Sequence, residues 1–354
     1  MAGAYVSYPF CAQKCTYCNF ASGVFPRELE AQYTDALLAE TGRTDWPWTS
    51  ETVYLGGGTP SQMDLEALTR LLGQIPGSPW REATIEAAPG TITVEKADAW
   101  RRGGINRVSL GVQSFIKREL ARTGRKHDAQ IVEREIALLR EAGIDSINID
   151  LIAGLPGQTR ESWSESLGWI ERLGVPHASV YMLEVDEDSR LGSEILARGR
   201  RYGAADVPSD DEIADFYEIA VERLADAGLA RYEISNFARP GFESLHNLKY
   251  WRREAYLGFG ADAHSFDGVW RWRNAETPAE YVARGASCAI ERTFADPASE
   301  RFFLGLRLME GIEPVLSEPV ERLMREGLLE ASGSRLRLTA RGVLLSNEVF
   351  AEFV

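Results

Sequence analysis

Between Tyr5 and about Tyr232, short β-branched or apolar runs alternate with longer stretches whose apolar positions recur at helical spacing. The runs predict strands at Ala4–Ser7, Thr52–Leu55, Ala83–Ala87, Arg107–Gly111, Ser146–Leu151 and Ala178–Leu183. The stretches between them predict helices at Arg27–Gly42, Leu65–Gln74, Val94–Arg102, Asp128–Ala142 and Arg160–Leu173. The fourth helix is well punctuated: Asp128 stands as N-cap, Ile131, Ile136, Leu138 and Leu139 form the apolar stripe, and Gly143 supplies the stop. Repeats of strand and helix make a parallel sheet with helices outside, and six of them predict an α/β fold, an open partial (β/α)6 barrel of the TIM type. In such barrels chemistry gathers where the strands end.

Beyond the sixth strand the acidic run Glu184–Asp188 reads as a solvated loop. Leu191–Pro208, rich in Arg and Gly, reads as a mobile excursion before a helix at Asp211–Ala227. From about Phe294 the character changes. Helices at Glu300–Met309 and Glu318–Glu326 precede a hairpin, Leu328–Ser332 and Arg335–Thr339, turning through Gly333. The expected organisation is therefore a barrel over 1–236, a connecting segment over 237–293 and a small α+β domain over 294–354.

Composition narrows the partners. With 44% apolar and 26% charged residues the 354-residue chain is ordinary for a globular protein. Its net charge of −14 argues against nucleic acid, whose binding depends on neutralising phosphates with Lys and Arg. No apolar run approaches the ~18 residues of a membrane-spanning helix, and the first residues lack the basic start and apolar core of a signal peptide.

Three of the four cysteines, Cys11, Cys15 and Cys18, cluster in C-x3-C-x2-C just after the first strand. Clustered thiols read as metal ligands in a reducing compartment, which predicts a cytoplasmic protein. Three thiolates hold three irons of a [4Fe–4S] cube and leave the fourth iron open for a small molecule. The competing readings are a structural zinc site, for which no fourth ligand follows at finger spacing, and three unrelated buried thiols. Tyr5, Phe10, Tyr17 and Phe20 are placed to shield a cluster. Cys288 stands alone and reads as packing. Further polar residues sit where the strands end: the glycine run Gly56-Gly57-Gly58-Thr59-Pro60, suited to close approach of a ligand, and Glu86 and Asp150, carboxylates within apolar strands that need strong partners.

The spacing C-x3-C-x2-C after a short strand resembles the signature of radical S-adenosylmethionine (SAM) enzymes. Tyr5-Val6-Ser7-Tyr8-Pro9-Phe10-Cys11 resembles the opening of the oxygen-independent coproporphyrinogen III oxidase family, closest to its haem-chaperone branch, HemW. Gly56–Pro60, Glu86–Pro89, Asn106–Phe115, Gly154–Thr159, Tyr232–Ala238 and His246–Trp251 follow in the family's order. The resemblance implies a [4Fe–4S] cluster on Cys11, Cys15 and Cys18, with SAM held by Tyr5, Tyr17, Gly57, Gly58, Thr59, Glu86, Gln113, Arg125 and Asp150. Read without it, Arg125 is equally a solvated loop charge. The box His246-Asn247-Leu248-Lys249-Tyr250-Trp251 is associated with haem in the chaperone branch, so His246, Tyr250 and Trp251 become haem candidates, with His264 a rival. A structural His beside aromatic residues is the plainer reading of His246.

Several positions depart from the family's usual pattern, and Phe20 from the oxidase's. Ser7 replaces His, Phe20 replaces a further Cys, Ala88 replaces Asn, and Ala261-Asp262 replace Pro-Gly. Phe20 and the His246 box favour a chaperone that binds haem and delivers it to haemoproteins, membrane respiratory enzymes among them. The alternative is an oxidase converting coproporphyrinogen III to protoporphyrinogen IX. The resemblance also leaves room for a homodimer.

Overall fold

The computed structural model describes residues 2–285 and 289–354; the expectation for Cys288 lies outside them. Strands β1 (Ala2–Tyr8), β2 (Ser50–Gly57), β3 (Glu82–Ala87), β4 (Arg107–Gln113), β5 (Ser146–Ala153) and β6 (His177–Met182) pair in parallel and in sequence order. Each predicted strand is present, with ends moved by a few residues at most, and the crossover helices lie between them. The helix predicted at Asp128–Ala142 runs Ala129–Glu141; the Asp128 carboxylate accepts from the Ile131 amide at 3.0 Å, and Gly143 turns left-handed at φ 81°.

The period of two along these strands divides the sheet chemically. On one face Val6, Val53, Leu55, Ile85, Val108, Leu110, Ile147, Ile149 and Val180 are buried in the core with Leu37, Leu71, Trp100, Ile136 and Trp163 from the helices. On the other face the same strands carry Tyr5, Tyr54, Glu86, Ser109, Asp150, Ser179 and Tyr181. The barrel is thus apolar outside, where helices cover it, and polar inside.

The sheet does not stop at six strands. β7 (Ala230–Arg231) and β8 (Asn236–Ala238) extend it antiparallel beyond β6, while β9 (Tyr256–Phe259) pairs in parallel with β1. β10 (His264–Phe266), β11 (Trp270–Asn274) and β12 (Ala289–Phe294) continue outward as an antiparallel meander, so that this sheet has twelve strands among the described residues. Strands β9 to β12, which fall almost wholly within the expected connecting segment 237–293, thus widen the barrel sheet. The expected mobile excursion is likewise structured: Arg190–Leu196 forms a helix capped by the Ser189 hydroxyl, with Leu191 fully buried, and a 3-10 turn follows at Arg201–Asp206. Near the end, the helix expected over Glu300–Met309 divides into Pro297–Phe303 and a 3-10 turn at Gly305–Arg307, and the hairpin forms as β13 (Leu329–Ser332) and β14 (Arg335–Leu338).

Candidate functional site

The loop that carries the cysteines is fastened on three sides. The Cys11 amide donates to Gly23 O at 2.8 Å, and Gly58 and Thr59 donate to Tyr8 O and Phe10 O at 2.8 and 2.9 Å. Between the second and third cysteines, buried Thr16 donates its amide to Thr123 O (3.3 Å) and its hydroxyl to Arg122 O (3.3 Å), and accepts from the Leu191 amide (2.8 Å). All three thiols are half-buried and free of disulfides. Burial pushes the Cys11 thiol up, opposed by hydrogen bonds from Thr59 and Ser22.

Among the described residues no three His, Cys, Asp or Glu side chains converge on a single ion. A zinc site would require that; a [4Fe–4S] cube does not, because each thiolate meets its own iron. The expected aromatic shield is reorganised. Phe10 packs into the core against Tyr8, Phe25 and Tyr33, whereas Phe20 is 69% exposed and covers nothing.

The expected SAM residues share the polar interior on the same rim. A methyl added at Gly56 would touch both Glu86 Oε1 and the Tyr5 ring at 3.1 Å, so these side chains flank the glycine loop. Glu86 accepts from the Tyr54 hydroxyl (2.9 Å) and the Gly57 amide (3.1 Å). Burial and the nearby Asp150 carboxylate push it up to about 7. Asp150 accepts from Asn148 Nδ2 (2.8 Å) and Ser109 Oγ (3.2 Å); burial raises it, and these hydrogen bonds with that of Ser179 oppose the rise.

Gln113 ends β4 at a register shift with φ of 72°, a left-handed conformation rarely adopted outside glycine. Its Oε1 is buried and unpartnered, and so is Nε of Arg125. Arg125 is not a solvated charge: Nη1 donates to Gly111 O at 2.6 Å. Burial works against its cation, but Tyr17, Cys15 and Asp150 beside it more than compensate. The pocket thus offers carboxylates to an ammonium and hydroxyls, an arginine to a carboxylate, and one unsatisfied acceptor and one unsatisfied donor. That donor set suits the amino-acid and ribose ends of SAM.

The haem candidates lie elsewhere. His246 is fully buried among the early residues of β1 and β2, with Nδ1 2.8 Å from Thr52 Oγ1 and Nε2 2.8 Å from the Tyr250 hydroxyl. Burial lowers it to about 3. Both ring nitrogens are therefore engaged by protein hydroxyls, and His246 and Tyr250 pack against each other in this structure. The Trp251 ring lies under the Arg307 guanidinium at 4.4 Å.

The interior also holds residues that sequence reasoning passed over. Ser109, Asn148, His177, Ser179 and Asn236 form a continuous hydrogen-bonded floor beneath Asp150, and Tyr54 separately supports Glu86. Tyr181, 42% exposed, faces the open interior. The alternation of polar residues at every second strand position was the available signal.

Comparison with known proteins agrees with this geometry. Residues 5–170 match the radical SAM superfamily, and residues 293–345 match the HemN C-terminal domain. The chain is 34% identical to the protein named "Heme chaperone HemW" of Bacillus subtilis, over 100% of this chain and 99% of that one. It is 37% identical to the protein of that name in Mycobacterium tuberculosis H37Rv, over 98% and 93% of the two chains. Among solved structures, the radical SAM coproporphyrinogen III oxidase of Escherichia coli matches with a TM-score of 0.85 at 24% identity, over 99% of this chain and 89% of that chain, a likeness of fold. The chain belongs to the radical SAM superfamily and, within it, to the family of the HemW proteins.

Proposed function

We propose that the protein is a haem chaperone, binding haem and passing it to recipient haemoproteins. The observation that carries this reading is likeness along the whole chain to proteins named for that activity, at 31–37% identity. In this proposal Cys11, Cys15 and Cys18 hold a [4Fe–4S] cluster, and SAM lies against Tyr5, Tyr17, Gly57, Gly58, Thr59, Glu86, Gln113, Arg125 and Asp150. Bound together, cluster and SAM would supply one-electron chemistry. The chain's own residues bind and orient. Glu86, ionised, receives an ammonium that the Gly56–Gly58 backbone lets approach. Arg125 holds a carboxylate through its guanidinium, and Asp150, steadied by Asn148 and Ser109, accepts from ribose hydroxyls. A cytoplasmic location and membrane respiratory enzymes as recipients complete the proposal. No helix of the described residues is long and apolar enough to cross a membrane.

The test is anaerobic reconstitution with iron and sulfide, followed by haem, or coproporphyrinogen III with SAM and a reductant. The expected result is a brown protein that takes up haem, yields it to an apo-haemoprotein and leaves the porphyrinogen unchanged. Formation of protoporphyrinogen IX would overturn the chaperone reading in favour of the oxidase. A colourless, iron-free product would remove the cluster.

A further inference from the structure

The sequence contains four histidines, and three are occupied. His127 Nε2 lies 3.1 Å from Val112 O, and burial lowers that ring to about 4. His177 is fully buried, with Nδ1 2.6 Å from Asn148 Oδ1 and Nε2 2.9 Å from the Tyr232 hydroxyl. His246 is held between Thr52 and Tyr250. His264 differs: its side chain is exposed, and no hydrogen bond among the described residues ties either ring nitrogen.

His264 also stands on a built support. The preceding loop is pinned to the barrel by Ala261 N donating to the Tyr33 hydroxyl (2.8 Å) and Asp262 N to Ala275 O (2.8 Å). Asn274 N then donates to Ala263 O at 3.0 Å. The backbone turns left-handed at Gly260 (φ 88°) and at Asp262 (φ 55°), where a non-glycine residue is held in a conformation that costs energy. Gly258 leaves room for the His264 backbone to pass, since a Cβ there would collide with it. The loop borders the cofactor pocket, because the Asp262 carboxylate raises Tyr5, whose ring flanks Glu86.

The geometry points to His264 as the axial ligand of a haem iron, on the rim of the barrel beside the cofactor pocket. This rests on the haem-chaperone reading and deepens it by moving the ligand from the buried His246 to the exposed ring. Iron takes a neutral imidazole. Although the residue is exposed, the part of the ring that lies against the protein loses hydration, which lowers His264; Arg273 and Arg271 act in the same direction and Asp262 and Glu291 against it, and the net lowering favours the neutral ring. The step is formation of one coordinate bond and needs no co-reactant.

The test is a hemin titration of the reconstituted full-length protein and its His264→Ala variant, with iron-free protoporphyrin IX as a second probe. The variant is expected to bind hemin at least about tenfold more weakly, roughly 1.4 kcal/mol. Its Soret band should shift, its affinity for iron-free protoporphyrin should be unchanged, and added imidazole should restore the wild-type spectrum. Unchanged hemin affinity and Soret band in the variant would overturn the inference, as would equal losses for both porphyrins. Wild-type protein that takes up no hemin would instead bring down the chaperone reading and this assignment with it. Cluster iron content and circular dichroism equal to wild type verify that the variant is folded.

Discussion

Glu86 is pulled two ways. In its proposed role, receiving the SAM ammonium, it would have to be ionised, whereas burial and the Asp150 carboxylate hold its proton until about pH 7. The sign follows from linkage: a carboxyl raised in the folded state contributes stability that is complete below its ordinary value near 4.5 and is lost as pH climbs through 7. At about 1.4 kcal/mol per pH unit this reaches roughly 3 kcal/mol at most, and less to the extent that water enters the open barrel. Glu86→Gln is therefore expected to melt higher than wild type at pH 8, to melt about equally at pH 5, and to lose SAM affinity. Calorimetric scans of the cofactor-free protein at both pH values, with a SAM titration, check this; an equal change in melting temperature at both would contradict it. Glu86 was legible in the sequence because a lone carboxylate interrupts an apolar strand. Asn148, Ser179 and Tyr54 passed as ordinary strand residues, since their meaning depends on which face of the sheet is interior, and that requires the barrel to be closed around them. His246 was ambiguous for a related reason: a histidine among aromatic residues reads the same as ligand or as packing in the sequence, and only the structure shows its two nitrogens bonded to Thr52 and Tyr250.

The cysteine loop has no regular structure of its own and takes its shape from what it touches. One of the surfaces it touches is the glycine loop after β2. A methyl at Gly58 would lie 2.7 Å from Phe10 O and 2.9 Å from Phe10 N, backbone atoms that cannot swing away. Gly58→Ala must therefore displace the segment that delivers Cys11. Fold stability should change little, since the rest of the sheet is untouched, while the iron retained after reconstitution falls several-fold. Iron and sulfide assays on the purified variant decide it, and full iron content would show that the loop adapts. The crossover elements were readable from alternation and caps. The short strands β7–β12 were not, because runs such as Trp270–Asn274 carry arginines and exposed aromatics, without the apolar face that announces a strand. Likewise the helix Arg190–Leu196 gives little periodic signal; buried Leu191 and Gly192, and the Leu191 amide bond to Thr16, anchor it over the cysteine loop.

At the scale of the whole molecule, the sheet and the C-terminal region share one apolar core, which runs from Val6 to Phe350. They meet where Ile234 N donates to Arg307 O at 3.1 Å and Met309 N to Tyr232 O at 3.0 Å. Within this seam Glu233 is fully buried. Its Oε1 accepts from Asn236 at 2.5 Å, while Oε2 has no hydrogen bond and faces the Arg307 guanidinium at 3.8 Å. From Asn236 the hydrogen bonds continue through Ser179 and Asn148 to Asp150, so the seam and the cofactor pocket belong to one buried network. Burial raises Glu233, and Arg307 is the cation that limits the rise. Arg307→Met keeps most of the side-chain volume over Trp251 but removes that cation, so Glu233 must rise further. A carboxyl raised in the folded state loses its stabilising contribution as pH increases, so the variant's deficit must grow with pH. Glu233 is less ionised at pH 5 than at pH 8 in either protein, so the deficit should be smaller there. At pH 8 wild type still has the guanidinium to meet an ionised Glu233 and the variant does not, and the deficit should reach about 2 kcal/mol, below the 3–5 of a fully enclosed pair because Arg307 is partly exposed. Denaturant melts at the two pH values measure that difference directly, and an equal deficit at both would mean that Arg307 acts there through packing alone.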